Sequence, residues 1–484
     1  MNDASTSTPA SAPTVRFGRR QSKGLLLGYS GQVVIVVSAG LVILAVALLL
    51  SPTLGVAITS PLWAGMIASG FVRWNGAPII ESVPLLLHWQ VRKATGQTRY
   101  RVRPIHPRPA GTMGLPGDAA ALRFYDDPIT GAVMVHDPHR QTLSAVVHVT
   151  HPAFVLLEPA EQARRVTAWS RVLGGLAATG TCAAVQVLES VIPDPGRGVV
   201  GWWQEHGIHD DSWASVEYDT LMRTAAPSAA SHRTLIALVL DLHGAARSIR
   251  EAGRGMAGAA AVLAGDMANL DAALRAASLL VQSWLSAPDL AVVIRQAYDP
   301  AATLTVDDPG ADMTTGPAAV DEHWDYLRHD SGFSSVLWIS EWPSIDAAPS
   351  FLHALIFAPG IRRSLCLVAR PLGAAQALRE IRKEKVDYIT DREQKARTGR
   401  IIDLSDDQEY ADVLARESAL VSGHADMRYS GFLTLTAATL DELRAATAHA
   451  QRVATQCMLE TRLIYGRQAQ AFIVAALPLG RTAR

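Results

Sequence analysis

The sequence contains no Gly-Lys dipeptide anywhere in its 484 residues. A P-loop needs Gly-Lys-Ser/Thr at the head of a helix, so the chain has no phosphate cradle of that kind. H-E-x-x-H and G-x-S-x-G are missing too, which removes the commonest zinc-protease and hydrolase signatures. Cysteine is scarce. Cys182, Cys366 and Cys457 lie far apart in apolar, strand-like contexts, the pattern of small buried hydrophobes in a reducing compartment rather than of a metal site or a disulfide. Charge of neither sign is in excess, and a net charge of −1 argues against a general polyanion binder.

What is present is concentrated at one end. Gly31 to Leu50 carries no ionisable side chain, and its length matches the ~20 residues that cross a bilayer core as one helix. Leu54 to Val72 follows after a break at Ser51-Pro52-Thr53 and is equally uncharged. In lipid every backbone polar group must be satisfied within the segment, so two apolar runs with a short connection predict a transmembrane helical hairpin. Arg16, Arg19, Arg20 and Lys23 precede it; Arg73, Arg92, Lys93, Arg99, Arg101 and Arg103 follow it; the connection has no basic residue. The positive-inside rule therefore predicts an inner-membrane, multi-pass protein with both termini cytoplasmic. A cleaved signal peptide fits poorly, since its apolar region runs to only about 7–15 residues. Neither run holds the acid, base or histidine that conduction or proton relay needs, so the expectation is an anchor.

The fold class expected is α/β: the N-terminal hairpin followed by a cytoplasmic two-part α/β domain. The divisions are a disordered basic tail at 1–23, the hairpin at 24–74, a basic Pro-rich juxtamembrane linker at 75–120, and two α/β subdomains at 121–310 and 311–484. The linker, with Pro78, Pro84, Pro104, Pro107, Pro109 and Pro116, contains one amphipathic helix near Ser82–Lys93, and its basic residues lie where anionic lipid headgroups would be. A β-hairpin is expected at Val133–His136 and Thr142–Thr150, a helix from Pro159 to Leu176, and strands at Cys182–Val191 and Arg233–Leu242. A long helix is expected over Ala257–Leu285. The order then repeats: strand Ser334–Ser340, helix Pro349–Phe357, strand Ser364–Ala369 and a helical stretch from Leu372 to Leu420. Phe432–Thr436, Glu442–Gln451, Met458–Ile464 and Gln468–Ala475 complete strand, helix, strand and helix. Two successive halves, each covering a sheet face with helices, are the natural packing solution.

No residue is assigned a catalytic, cofactor or metal role, and no cofactor is expected. Gly253, Gly255 and Gly258 spell G-x-G-x-x-G, but they follow a helix-like segment rather than a strand, so a loop opening the next helix is the better reading. His136 and His139, and His148 and His151, are spaced i,i+3, which in a strand points the two rings to opposite faces. His206, His209, Asp210 and Asp211 are ligand-type residues after Trp202-Trp203, read as a solvated helix end beside packing tryptophans.

A series of short landmarks runs from the apolar pair to the C-terminus: His232–Leu242, Gly253–Gly258, Tyr298-Asp299-Pro300, Trp324-Asp325-Tyr326, Glu341-Trp342-Pro343, Arg416-Glu417 with Gly423-His424, and Gln468–Gly480 with Ala475-Ala476-Leu477-Pro478-Leu479. In that order and spacing the chain resembles an actinobacterial family of integral membrane proteins encoded in conjugative, type IV secretion-like gene clusters. Its apolar pair is similar to PrgI-type conjugation proteins, and the rest resembles the N-terminal, non-ATPase domain of the VirB-type traffic ATPase. The resemblance implies a non-enzymatic scaffold that contacts membrane lipid, a separate traffic ATPase and a polytopic channel protein, without sequence-specific nucleic-acid binding. It carries over no site residue. It leaves oligomeric state open, and with it two other readings: a type VII secretion subunit resembling EccE, and a membrane-anchored transferase.

Overall fold

The computed structural model describes residues 30–103, 109, 111–151, 154–193, 197–225, 230–302, 316–343, 347–358, 360–397, 404–422 and 424–482. The expected N-terminal tail, its basic residues, and Pro104 and Pro107 lie outside the described residues. The two apolar runs form α1 (Gly31–Leu50) and α2 (Leu54–Phe71). A small ladder of β1 (Arg73–Trp74) and β2 (Ala77–Pro78) leads into α3 (Ile79–Ala94) and β3 (Arg99–Arg101).

The rest is built twice in one order, apart from the short helix Ala246–Glu251, which has no counterpart in the second half. The first half starts with β4 (Arg123–Asp126), β5 (Val133–Asp137), β6 (Thr142–Thr150), α4 (Pro159–Ala178) and β7 (Cys182–Pro193). It continues through α5 (Arg197–His206), α6 (Trp213–Ala225), β8 (Ala230–Asp241), α7 (Ala246–Glu251), α8 (Gly255–Ala276), β9 (Leu280–Trp284) and α9 (Ala287–Tyr298). The second half starts with β10 (Ala319–Glu322), β11 (Leu327–His329), β12 (Gly332–Glu341), α10 (His353–Ile356) and β13 (Arg362–Leu372). It closes through α11 (Ala374–Arg397), α12 (Leu404–Val421), β14 (Asp426–Ala437), α13 (Leu440–Gln456), β15 (Glu460–Leu463) and α14 (Gln468–Ala476).

Both halves contribute to one sheet, in the order β3-β10-β11-β12-β14-β13-β7-β8-β6-β5-β4, with β9 beside β6 and β15 beside β12. Helix and strand alternate as expected, while every pairing among the described strands is antiparallel. The halves meet where β7 pairs β13, centred on Leu188 opposite Cys366. On one face Val146, Leu188 and Leu235 of the first half and Val336, Cys366 and Phe432 of the second share a core with α9 and α14. On the other face, α8 covers Ile236 and Leu238, and α13 covers Leu433 and Leu435.

The sheet is strongly curled. A flat path of those eleven strands would part its outer edges by about 48 Å, at ~4.8 Å per spacing. Yet β3 pairs β10 at one edge while Thr112 bridges Arg123 of β4 at the other, and the intervening chain spans at most ~40 Å. The edges converge around α9 and α14, and the Tyr100 hydroxyl donates to the Gly114 carbonyl at 3.2 Å. Segment 75–120, expected as a linker, thus supplies a helix, an edge strand and the buried Met113 and Leu115.

Three element boundaries differ from expectation. The helix expected over Ala257–Leu285 ends at Ala276, Ser278 turns at φ +60, and β9 follows. The alanine- and leucine-rich run is continuous in composition, so periodicity did not mark the turn. Pro349–Phe357 contributes only one helical turn. The stretch Leu372–Leu420 is two helices, and its first residue is the end of β13, held opposite Asp426. Helix α9, opened by a capping box between Ser286 and Asp289, was not anticipated.

At the junction of the halves His329 is buried, its Nδ1 donating to the Tyr298 carbonyl and its Nε2 accepting from the Ser334 hydroxyl at 2.7 Å. Burial pushes this imidazole down to about 4, although the Tyr298 carbonyl favours its charged form. The native ring is therefore neutral where the unfolded one, titrating near 6.5, takes a proton. Stability is expected to be unaffected by this group above that value and to fall as pH drops from ~6.5 to ~4, by roughly 3 kcal/mol in full. Denaturant titrations across that window should show this component of the slope vanish in His329→Gln.

Candidate membrane anchor and docking surfaces

Helices α1 and α2 pack along each other through small residues. Gly40 lies against the Trp63 carbonyl and Ile67, and a side chain at Gly70 would meet Val37. Pro61 inside α2 leaves the Ala57 carbonyl without its helical donor, and the Ser60 hydroxyl donates to that carbonyl at 2.8 Å. The outward faces are bare: Ile35 is 69% exposed and Ile58 70%. Both helices are long and apolar enough to cross a membrane.

Helix α3 continues the apolar surface. Ile79, Val83, Leu86, Leu87 and Val91 recur at helical spacing and are all exposed. Its other side is fastened to the sheet. Arg92 is buried, pairs with the buried Glu322 of β10 and donates to the Gly466 carbonyl at 3.1 Å. Trp89 meets Trp324 edge-on at 5.2 Å, Trp74 lies 4.4 Å from Tyr465, and the Asn75 amide donates to the Leu463 carbonyl at 3.0 Å. Ser30, at the head of α1, donates to Glu81 of α3 at 2.5 Å. The apolar pair is therefore fixed to the folded region by hydrogen bonds, an ion pair and stacked rings.

A second apolar surface lies on α5 and α6, inserted between β7 and β8. Trp202, Ile208, Trp213, Val216 and Leu221 are exposed, Trp213 by 80%. His206 stacks on Trp202 at 5.2 Å, His209 packs edge-on to Trp203 at 5.3 Å, and Asp210 holds the Ser212 backbone and hydroxyl. His206, His209 and Asp210 are thus held in local contacts.

The remaining sequence candidates are likewise dispersed. His136 and His148 are both shifted down by burial. Among the described residues no three His, Cys, Asp or Glu side chains come together as a metal cage. The glycine motif opens α8 after α7. Gly253 and Gly255 take φ of +125 and +59, and a Cβ at Gly258 would strike the Ile249 carbonyl, so close helix approach explains that glycine. All three cysteines are free, and burial pushes the Cys182 and Cys366 thiols up to about 12, far from nucleophilic.

Several landmark residues fall at the junctions. Tyr298 is fully buried beside Phe472, Pro300 packs on Gly332, and Trp342 packs on Gly431. Arg416 bridges Asp426 and Glu384. Arg92 with Glu322, and Arg481 with Asp137, were missed, because partners hundreds of positions apart leave no local signal. The chain matches no protein-family model and no curated protein.

Proposed function

We propose that this is a non-enzymatic membrane component of a type IV secretion or conjugation-like machine that docks a separate traffic ATPase. In this reading α1 and α2 form a transmembrane hairpin of the inner membrane with both chain ends cytoplasmic. The apolar stripe of α3 lies in the headgroup region, where an amphipathic helix gains from burying one face. The observation that carries the reading is the bare apolar helix pair fastened to the sheet through α3. A rigid tether of that kind holds the folded region at the membrane and raises the effective concentration of a partner bound to it. The exposed aromatic surface of α5 and α6 is the docking face proposed for the ATPase, since aromatic anchors dominate such contacts.

Reporter fusions at Ser51–Thr53 and at Arg484 test the topology. The two should give opposite signals, with the cytoplasmic one at Arg484. Extracytoplasmic activity at Arg484 would overturn it.

A further inference from the structure

The line where the halves meet is symmetric in backbone and asymmetric in what fills it. Two residues to one side of the central Leu188–Cys366 pair, Gln186 stands opposite Val368; two residues to the other, Ser364 stands opposite Ser190. At the first end the chain fills its own space. Gln186 donates to the carbonyls of Val474 and Leu477 at 2.9 and 2.8 Å and accepts the Gly480 N–H at 2.7 Å. At the second end lies a cavity of about 30 Å³ that opens to solvent, walled by β7, β8, β13, β14, α9 and α14.

Arg233 and Arg362 line this cavity and share one neighbour. Arg233 donates to the Gln296 side chain at 2.7 Å, and Arg362 to the Gln296 carbonyl at 2.6 Å. Among the described residues neither guanidinium pairs with a carboxylate. Asp299, the acid whose charge reaches Arg362, is bound to Arg295 and Ser331. Arg363, the next residue, is buried and likewise has no acidic partner among the described residues, its Nε and one terminal nitrogen unbonded. Thr434, 2% exposed, lines the same cavity with its hydroxyl unpartnered. Burial pushes Arg362 down to about 10, and the charge of Arg233 adds to that push.

Half-buried guanidiniums that share a neighbour are costly unless an anion joins them, and their planar forks match the oxygens of a phosphate group. We propose that this cavity binds a phosphate group between Arg233 and Arg362, with the Thr434 hydroxyl as a further donor. Val293, Ala297 and Phe472 also line the cavity, so a substituent carried by the phosphate would meet apolar side chains, and a phosphate monoester is the ligand class expected.

Calorimetric titration of the full-length protein in detergent, in phosphate-free buffer at fixed ionic strength, tests this with inorganic phosphate and with glycerol 3-phosphate. Both should bind, the ester more tightly; equal affinity would support the phosphate site and assign it to free phosphate. Arg362→Gln and Arg233→Gln should each weaken binding at least tenfold, about 1.4 kcal/mol. Thr434→Val should weaken it severalfold while leaving the ligand-free melting temperature unchanged or higher, since it removes an unpaired hydroxyl. Absence of binding by either probe, or unchanged affinity in folded arginine variants, would overturn the proposal.

Discussion

Glu322→Ala is expected to destabilise the protein by about 3–5 kcal/mol, because it leaves the buried Arg92 guanidinium without its counter-charge. The loss extends beyond the pair. The other Glu322 oxygen accepts the Ala469 N–H at the start of α14 at 3.1 Å, so one carboxylate ties α3, β10 and the core helix α14 together. Trp74, Trp89 and Trp324 cluster at this junction, and denaturant titration followed by tryptophan fluorescence in detergent reads it directly. The double variant Arg92→Met/Glu322→Leu should recover much of the loss, since two apolar side chains carry no unpaired charge. Equal destabilisation in the double variant would mean that packing, not charge pairing, holds the junction.

Arg481→Met is expected to cost a similar ~3–5 kcal/mol, just beyond the far end of α14. Arg481 is 4% exposed and bonds Asp137 at 3.0 Å and Asp118 at 2.9 Å. Burial drives the Asp118 carboxyl up, and the Arg481 guanidinium more than offsets this, leaving it below the usual carboxylate range. These bonds pin the segment after α14 across the first half, where the Ser144 hydroxyl donates to the Leu479 carbonyl and Gly480, at φ +66, sits against Val239. The variant should melt earlier and should expose the first half to limited proteolysis before the second. Wild-type melting in Arg481→Met would remove this clamp from the list of stabilising contacts.

Both predictions concern contacts invisible in the sequence, and the reason is physical. The alternation of helix and strand was legible wherever a local rule operated. The uncharged runs gave α1 and α2, Pro159 opened α4, and the apolar strand around Leu235–Leu240 proved central. Periodicity is blind to what joins elements far apart, so the shared sheet, the edge closure by Tyr100 and Thr112, and the arginines at the junctions emerged only in three dimensions. The alanine-rich run through Leu285 misled for the complementary reason: its composition suits a helix throughout, and a single turn at Ser278 redirects it. The closing segment Gln468–Gly480 stood out as a landmark, and its packing against both halves accounts for the residues found there.

The proposed function stands or falls on the partner. Tagged full-length protein, crosslinked in its own cells and purified from detergent extracts, should carry with it a P-loop traffic ATPase and a polytopic channel protein from the same gene cluster. The yield of the ATPase should fall when Trp202 and Trp213 are replaced by Ser. Purification without any P-loop ATPase, or with type VII secretion components in its place, would contradict the docking proposal.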